Sequence, residues 1–389
     1  MIKEIKLILL SLLISNLVIA QENSQYLNSI LAAIDEVKSA TYTSTLTAGE
    51  AEEEIPYRSF QLFVKTYANP TDKYCGAGFV SAPINNRDEY DFCYDGLFQV
   101  DLDWEKNTAK IDTINNSNKG RPLAPFFMKA KSVLNYALEN PDHTIIEHEE
   151  YNDSTKISFL FEGRRVELGR LIPDEKIVPG ENSQYELWID NKTNLPFYSV
   201  RKMAHQKTTE RCSDLTIQKT EDIEFDALLQ IPVDFSIVGE TKREIKAFEL
   251  EGKIAPNWNL EAVDGKNHSL ENAKSKVVLL EFTSIGCGPC RRAIPFLKNL
   301  SDEYKKKELE VISIEIVSKK ADALKRYVEK MGLNYKYMID DGSTKNNYKV
   351  SGMPTFFILN ENRVVKKIFL GFRKGETEKE IENSIQDMI

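Results

Sequence analysis

Two cysteines three residues apart, Cys287 and Cys290, lie in the run Phe282–Pro295, FTSIGCGPCRRAIP. A Cys-x-x-Cys pair has three readings: a redox dithiol, half of a structural zinc site, or a chance pair. Zinc would want a second Cys or His pair at suitable spacing. His268 precedes the motif and is the last histidine of the chain, so that pair is missing. The redox reading has physical support instead. Gly288 and Pro289 supply a tight turn into a helix, with proline in the first turn, where its missing N–H costs nothing. Cys287 then falls at the helix N-terminus, where unpaired backbone N–H groups and the helix dipole favour thiolate over thiol. Cys290, one turn deeper, can reach the same sulfur and expel a bound partner by thiol–disulfide exchange.

The elements that must hold this pair are legible on both sides. Val277–Phe282 is apolar apart from Glu281, as in a central parallel strand buried on both faces. A carboxylate in such a strand has its pKa raised by desolvation and can pass protons to and from Cys290; the alternative is a strand-end acid turned to solvent. From Ala255 the pattern alternates: strands at 257–263 and 277–283, a helix at 288–306, a strand at 309–317 and a helix at 320–331. A strand at 335–338, a short helix at 343–348, strands at 355–360 and 363–370, and a helix at 376–388 follow. This is α/β patterning.

Taken together, Ala255-Pro256, Asp264-Gly265-Lys266 with Ser269-Leu270, Cys287-Gly288-Pro289-Cys290-Arg291, Pro295 and Ser351-Gly352-Met353-Pro354-Thr355 resemble the exported thioredoxin-like proteins of the TlpA and ResA type. The resemblance covers about residues 250–389 and implies a three-layer thioredoxin-like α/β fold. It also implies a cis-proline at Pro354 beside the dithiol, leaving an open backbone edge for a partner peptide. Glu281 sits where thioredoxins carry a buried acid behind the second cysteine, and Pro295 matches the family's helix-kinking proline. Two positions depart from the family: Gly286 replaces the usual Trp before the first cysteine, and Ala293 replaces a frequent Glu three residues after the second. The departure at Gly286 puts the flat apolar contact to partners in question, and that at Ala293 shifts proton handling onto Glu281. Arg291 and Arg292 either favour the thiolate or are solvated helix residues. A peroxidatic thiol is disfavoured, because Leu280 and Ser284 occupy the Pro and Thr positions of that pattern.

A chain of 389 residues is long enough for two domains with cores of their own. The net charge of −9 argues against a nucleic-acid partner. Residues 1–20 carry Lys3 and Lys6, an apolar stretch Leu7–Ile19 and a small-residue site ending at Ala20, the pattern of a secretory signal peptide. An uncleaved segment would act as a membrane anchor instead. Export to the periplasm places the five cysteines in an oxidising compartment.

Residues 21–237 read as a β-rich antiparallel (α+β) domain, and 238–249 as a linker. A helix over 26–39 is followed by strands at 41–47, 60–68, 73–81, 90–102 and 107–114. A helix at 125–138 and strands at 143–150, 155–161, 184–190, 196–204 and 214–224 complete it, with Asp190-Asn191-Lys192-Thr193 as a hairpin-type turn. Tyr94-Asp95-Gly96, Leu187-Trp188-Ile189-Asp190 and Leu195-Pro196 are similar to LolA-like half-barrels, which implies a curved sheet able to hold an acyl chain or an extended segment; the plainer reading is a docking or dimerising domain. Cys75 and Cys93 are placed to form a cross-strand disulfide or to be buried free thiols, and Cys212 is left over. His143 and His148 with Glu147, Glu149 and Glu150 read as a solvated strand edge rather than a metal site. Glu52, Glu53 and Glu54 form a loop charge run.

The expected function is an extracytoplasmic thiol:disulfide oxidoreductase without a cofactor, with Cys287, Cys290, Glu281 and Pro354 as its site. The Gly-Pro filler leans towards disulfide reduction. Its expected partners are exported protein disulfides and a membrane electron donor, with room for a hydrophobic ligand in the N-terminal domain and for a dimer. The competing class is a lipid, lipoprotein or peptide binding module carrying an accessory redox domain; a copper-handling module is more remote.

Overall fold

The computed structural model describes residues 21–114, 120–203, 205–220, 223–238, 246–304 and 308–389. The signal-peptide expectation for 1–20 and most of the linker expectation for 238–249 lie outside the described residues. The chain divides into two compact units: Met1–Glu52 with Ser59–Thr241, and Glu53–Arg58 with Lys242–Ile389.

The first unit opens with helix α1 (residues 21–35). Strands β1 (Ser39–Glu50), β2 (Arg58–Ala68), β3 (Ala77–Pro83), β4 (Phe92–Tyr94), β5 (Phe98–Asp103) and β6 (Thr108–Thr113) follow, then helix α2 (Phe126–Glu139). Next come β7 (Thr144–Glu150), β8 (Ser154–Phe161), β9 (Arg164–Glu167), β10 (Asp174–Ile177), β11 (Ser183–Asp190), β12 (Leu195–Met203), β13 (Gln206–Gln218) and β14 (Ser236–Val238). Among the described residues, twelve of these strands form one sheet in the order β14-β6-β5-β4-β3-β2-β1-β13-β12-β11-β8-β7. Its antiparallel pairs alternate buried and exposed side chains, as in β8, where Thr155, Ile157, Phe159 and Phe161 point inward. Leu27, Ile30 and Ile34 of α1 and Phe126, Phe127 and Leu134 of α2 pack on that face. The N-terminus of α2 has no side-chain cap of its own. Tyr42 of β1 supplies one, its hydroxyl accepting the Phe126 N–H at 3.1 Å.

Besides shifted element ends and the unexpected short strands β9, β10 and β14, three details differ from the expectations for this unit. The run expected as one strand over 90–102 breaks into β4 and β5, because Asp95 accepts the N–H groups of Leu97 and Phe98 and Gly96 takes φ 97°. The last long strand begins at Gln206 rather than 214, since β1 and β12 both pair with its polar first half and the ladders outweigh local propensity. The cross-strand disulfide option for Cys75 and Cys93 is overturned: both are buried free thiols, as is Cys212. Cys93 lies opposite Val80 and packs with Val100 and Leu102, whereas Cys75 precedes β3 and packs with Phe79 and Tyr94 in a separate cluster. Burial pushes the Cys75 thiol up to about 11 and the Cys93 thiol up to about 12.

In the second unit the small hairpin β15 (Asn259–Glu261) and β16 (Asn267–Ser269) precedes β17 (Val277–Thr283) and α3 (Gly288–Glu303). Then come β18 (Leu309–Glu315), α4 (Ala321–Met331), β19 (Lys336–Ile339), α5 (Thr344–Asn347), β20 (Thr355–Leu359), β21 (Val365–Leu370) and α6 (Glu376–Gln386). The five-stranded sheet runs β19-β18-β17-β20-β21. Strand β17 is parallel to β18 and antiparallel to β20, and all seven of its residues are buried. Its side chains alternate between two cores. Val277 and Leu279 meet Leu297 of α3 and Ile381 of α6, while Val278, Leu280 and Phe282 meet Ile314, Phe357 and Tyr348. The second face is covered by Tyr348 and Val350, just beyond α5, and by the segments bearing Trp258, Leu250 and Leu270. Phe357 is fully buried between Phe282 and Tyr348. Phe357→Ala should lower the unfolding free energy of this unit by about 3–5 kcal/mol in urea titrations.

Candidate active site

The site grows from the C-terminal end of β17. Beyond Thr283 the chain leaves the sheet through Ser284, Ile285 and Gly286, and a turn closed by Cys287 N–H to Ser284 O at 2.9 Å delivers Cys287 to the start of α3. Cys287 is the N-cap residue, with φ −90° and ψ 110°, and its sulfur accepts the Cys290 N–H at 3.2 Å. A sulfur placed on the free N–H groups of a helix is where a thiolate gains most. The two cysteines are joined as a disulfide, with Cα atoms 5.2 Å apart. They differ in access: Cys290 is 1% exposed, whereas Cys287 is only partly buried.

Glu281 is 2% exposed, not turned to solvent. By the alternation of β17 it shares the face of Val277 and Leu279, the face that α3 covers with Ala293 and Leu297. The Ser313 hydroxyl donates to its Oε2, but its Oε1 has no hydrogen-bond partner. Desolvation drives its pKa up to about 7, against the lowering effect of Ser313 and Thr283 and with help from the nearby Glu315 charge. A protonated carboxyl in this place can give a proton, and an ionised one can take it.

The Met353–Pro354 peptide bond is cis. Thr355 pairs with Phe282, so Pro354 enters β20 beside the end of β17 from which the dithiol loop departs. Pro354 O accepts the Gly371 N–H at 2.7 Å. Pro295 lies inside α3. Arg291 turns to α4, its guanidinium 5.7 Å from the Tyr327 ring centre and within 3.6 Å of Met331 Sδ.

Sequence reasoning missed Glu315. It is 1% exposed at the end of β18, facing Thr283 across the ladder. Its carboxylate accepts the N–H groups of Ile285 at 2.8 Å, Val317 at 3.0 Å and Ser318 at 2.9 Å, and the Tyr337 hydroxyl at 2.9 Å. Four donors compensate a buried carboxylate, although burial still raises its pKa. The Ile285 bond ties down the loop that carries Cys287. An acid ending an otherwise apolar strand, as in Val311-Ile312-Ser313-Ile314-Glu315, was the available signal. It also missed Tyr57, which belongs to the second unit with Glu53–Arg58. A Cβ at Gly286 would lie 2.0 Å from the Tyr57 hydroxyl oxygen, so glycine is required there by space rather than by backbone conformation.

The first unit holds a cleft of about 1040 Å³ lined by Tyr67, Asp72, Tyr74, Arg121 and Phe225 among others. Arg121 and Asp72 are a buried ion pair at 3.2 Å, the guanidinium lies 4.1 Å from the Tyr74 ring centre, and the Tyr94 hydroxyl donates to Asp72 at 2.8 Å. Of the sheet that the LolA-like resemblance implies can hold an acyl chain or an extended segment, the part formed by β1, β8 and β11 is covered by α1 and α2.

Residues 250–385 match the Redoxin family. The chain is 33% identical over 137 residues to thioredoxin-like protein YneN of Bacillus subtilis, covering 35% of this chain and 78% of that protein. It is 31% identical over 136 residues to the thiol-disulfide oxidoreductase ResA of Geobacillus thermodenitrificans, covering 35% of this chain and 78% of the relative. Among solved structures it is similar to StoA from Bacillus subtilis, at 20% identity and a TM-score of 0.29, covering 33% of this chain and 96% of that one.

Glu281 makes stability depend on pH. Its folded pKa of about 7 lies above the ordinary 4.5, so the fold keeps a proton that the unfolded chain loses. The contribution is full below pH 4.5 and disappears as pH rises to about 7. Relative to Glu281→Gln, the natural protein should lose on the order of 3 kcal/mol of unfolding free energy across this window. Denaturant titrations of both proteins at several pH values read the difference; a constant offset would show that the fold leaves the Glu281 pKa at its ordinary value.

Proposed function

Because the chain belongs, through its C-terminal unit, to the ResA-type thioredoxin-like proteins, we propose that it is an extracytoplasmic thiol:disulfide oxidoreductase whose dithiol is Cys287 and Cys290. The observation that carries this is the pairing of a partly accessible sulfur at the N-terminus of α3 with a buried one that it can bond. In the reducing direction, the Cys287 thiolate attacks a substrate disulfide. A Cys287–substrate bond forms, the substrate S–S bond breaks, and the departing sulfur leaves as a thiolate that takes up a proton. Cys290 then gives its proton to the Glu281 carboxylate and attacks the Cys287 sulfur, which releases the second substrate thiol and closes the Cys287–Cys290 disulfide. Two electrons have passed from the dithiol to the substrate. The proposed docking edge for the substrate chain is at Pro354, which enters β20 beside the end of β17.

Residues 1–20, read as a signal peptide, put this chemistry in the periplasm. There the disulfide must be reduced again by a dithiol donor at the membrane; among the described residues, no helix is long and apolar enough to cross one. Protein disulfides of exported chains are the proposed substrates. The proposed site for a hydrophobic ligand of the first unit is the cleft beside Tyr67 and Phe225.

Cys290→Ala should accumulate covalent, DTT-sensitive adducts through Cys287, and Cys287→Ala should abolish insulin reduction. Reduction surviving in Cys287→Ala would sink the mechanism. Glu281→Gln should slow mixed-disulfide resolution on the order of 10²-fold while leaving the first attack by Cys287 unchanged; stopped-flow single turnovers separate the two steps.

A further inference from the structure

The position directly before the first cysteine, Gly286, carries no side chain, yet the space beside it is filled. The Tyr57 hydroxyl oxygen stands 2.0 Å and its Cζ 2.5 Å from where a Cβ at Gly286 would be. Tyr57 is itself 8% exposed, so the ring is seated rather than hanging in solvent. It reaches this place on Glu53–Arg58, six residues that belong to the second unit although in the chain they follow β1 and run into the first residue of β2. The segment is held at further points on the same unit. Lys320, at the N-cap of α4, donates its ammonium to Pro56 O, and Arg326 of α4 pairs with Glu53 at 3.2 Å. Glu53 is therefore a specific anchor and not only part of a loop charge run.

We infer that Tyr57 is a specificity-determining residue for the dithiol: it screens the Gly286 side of Cys287, so that bulky protein disulfides reach the sulfur less readily than small ones. This rests on the proposed thiol–disulfide chemistry. With a tyrosine at 57, the geometry requires glycine at 286, because any side chain there would need the volume that the ring holds. Proteins with a large aromatic side chain at the equivalent of Gly286 would carry their flat contact on the dithiol loop itself. Here the aromatic group arrives on a separate segment anchored through Pro56 and Glu53. The screen is thus adjustable independently of the loop that sets the reactivity of Cys287.

The test uses the reduced full-length protein with insulin and hydroxyethyl disulfide as oxidants. Tyr57→Ala should raise kcat/KM for insulin about fivefold, mainly through KM, and change the hydroxyethyl disulfide rate by less than about twofold. Tyr57→Phe keeps the ring and should stay within about twofold of the natural protein on both. Equal changes on the two substrates, or slower insulin reduction in Tyr57→Ala, would overturn the screen. The contact has a check independent of turnover: Gly286→Ala should lower the melting temperature when Tyr57 is present and have little effect in a Tyr57→Ala background. An equal cost in both backgrounds would show that Tyr57 does not hold that space. A natural protein that reduces neither oxidant would refute the proposed function and the inference with it, whereas one that reduces both at rates unaltered by Tyr57→Ala would refute the inference alone.

Discussion

The second unit depends on one constraint: β17 is hydrogen-bonded along both edges, parallel to β18 and antiparallel to β20. A strand paired on both sides and buried on both faces cannot slip without moving every side chain to the wrong face. Its register therefore fixes several things at once. It sets Glu281 on the face covered by α3, brings Thr355 and with it Pro354 to the end of the strand, and determines where the chain must leave the sheet to begin the dithiol loop. A single ladder thus positions a sulfur, an acid and a proline that are distant in sequence.

Two buried carboxylates close to that strand end are held in opposite ways. Glu315 has four donors around it and ties the Ile285 N–H in place, so its charge is compensated and its role is geometric. Glu281 has one donor from Ser313 and an oxygen without a partner, so its charge is costly and its proton exchangeable near neutral pH. One acid fixes the loop and the other can serve it.

The cysteines make a similar contrast. Cys287 meets the free N–H groups of a helix, where a thiolate is favoured. Cys75 and Cys93 sit in apolar clusters that hold their thiols neutral, and they lie in different clusters so that they do not meet. Residue type is the same; the surroundings decide the chemistry.

Local features could be read without the fold. The apolar run of β17, the Cys-Gly-Pro-Cys turn, the alternation of strands and helices after Ala255 and the hairpin-type turn at Asp190-Asn191-Lys192-Thr193 are written in short-range pattern, because period and turn chemistry act over a few residues. Beyond this reach lay features that need two distant segments to meet. The polar half of β13 is a strand because β1 and β12 pair with it. Helix α2 is capped by a tyrosine of β1, and Glu315 matters because Ile285 and Tyr337 converge on it. At Gly286 the sequence displayed a missing side chain, and only the tertiary structure supplied the reason: the volume beside that glycine is already taken by Tyr57. Packing excludes two groups from one space however far apart they are in the chain, and no local pattern records it.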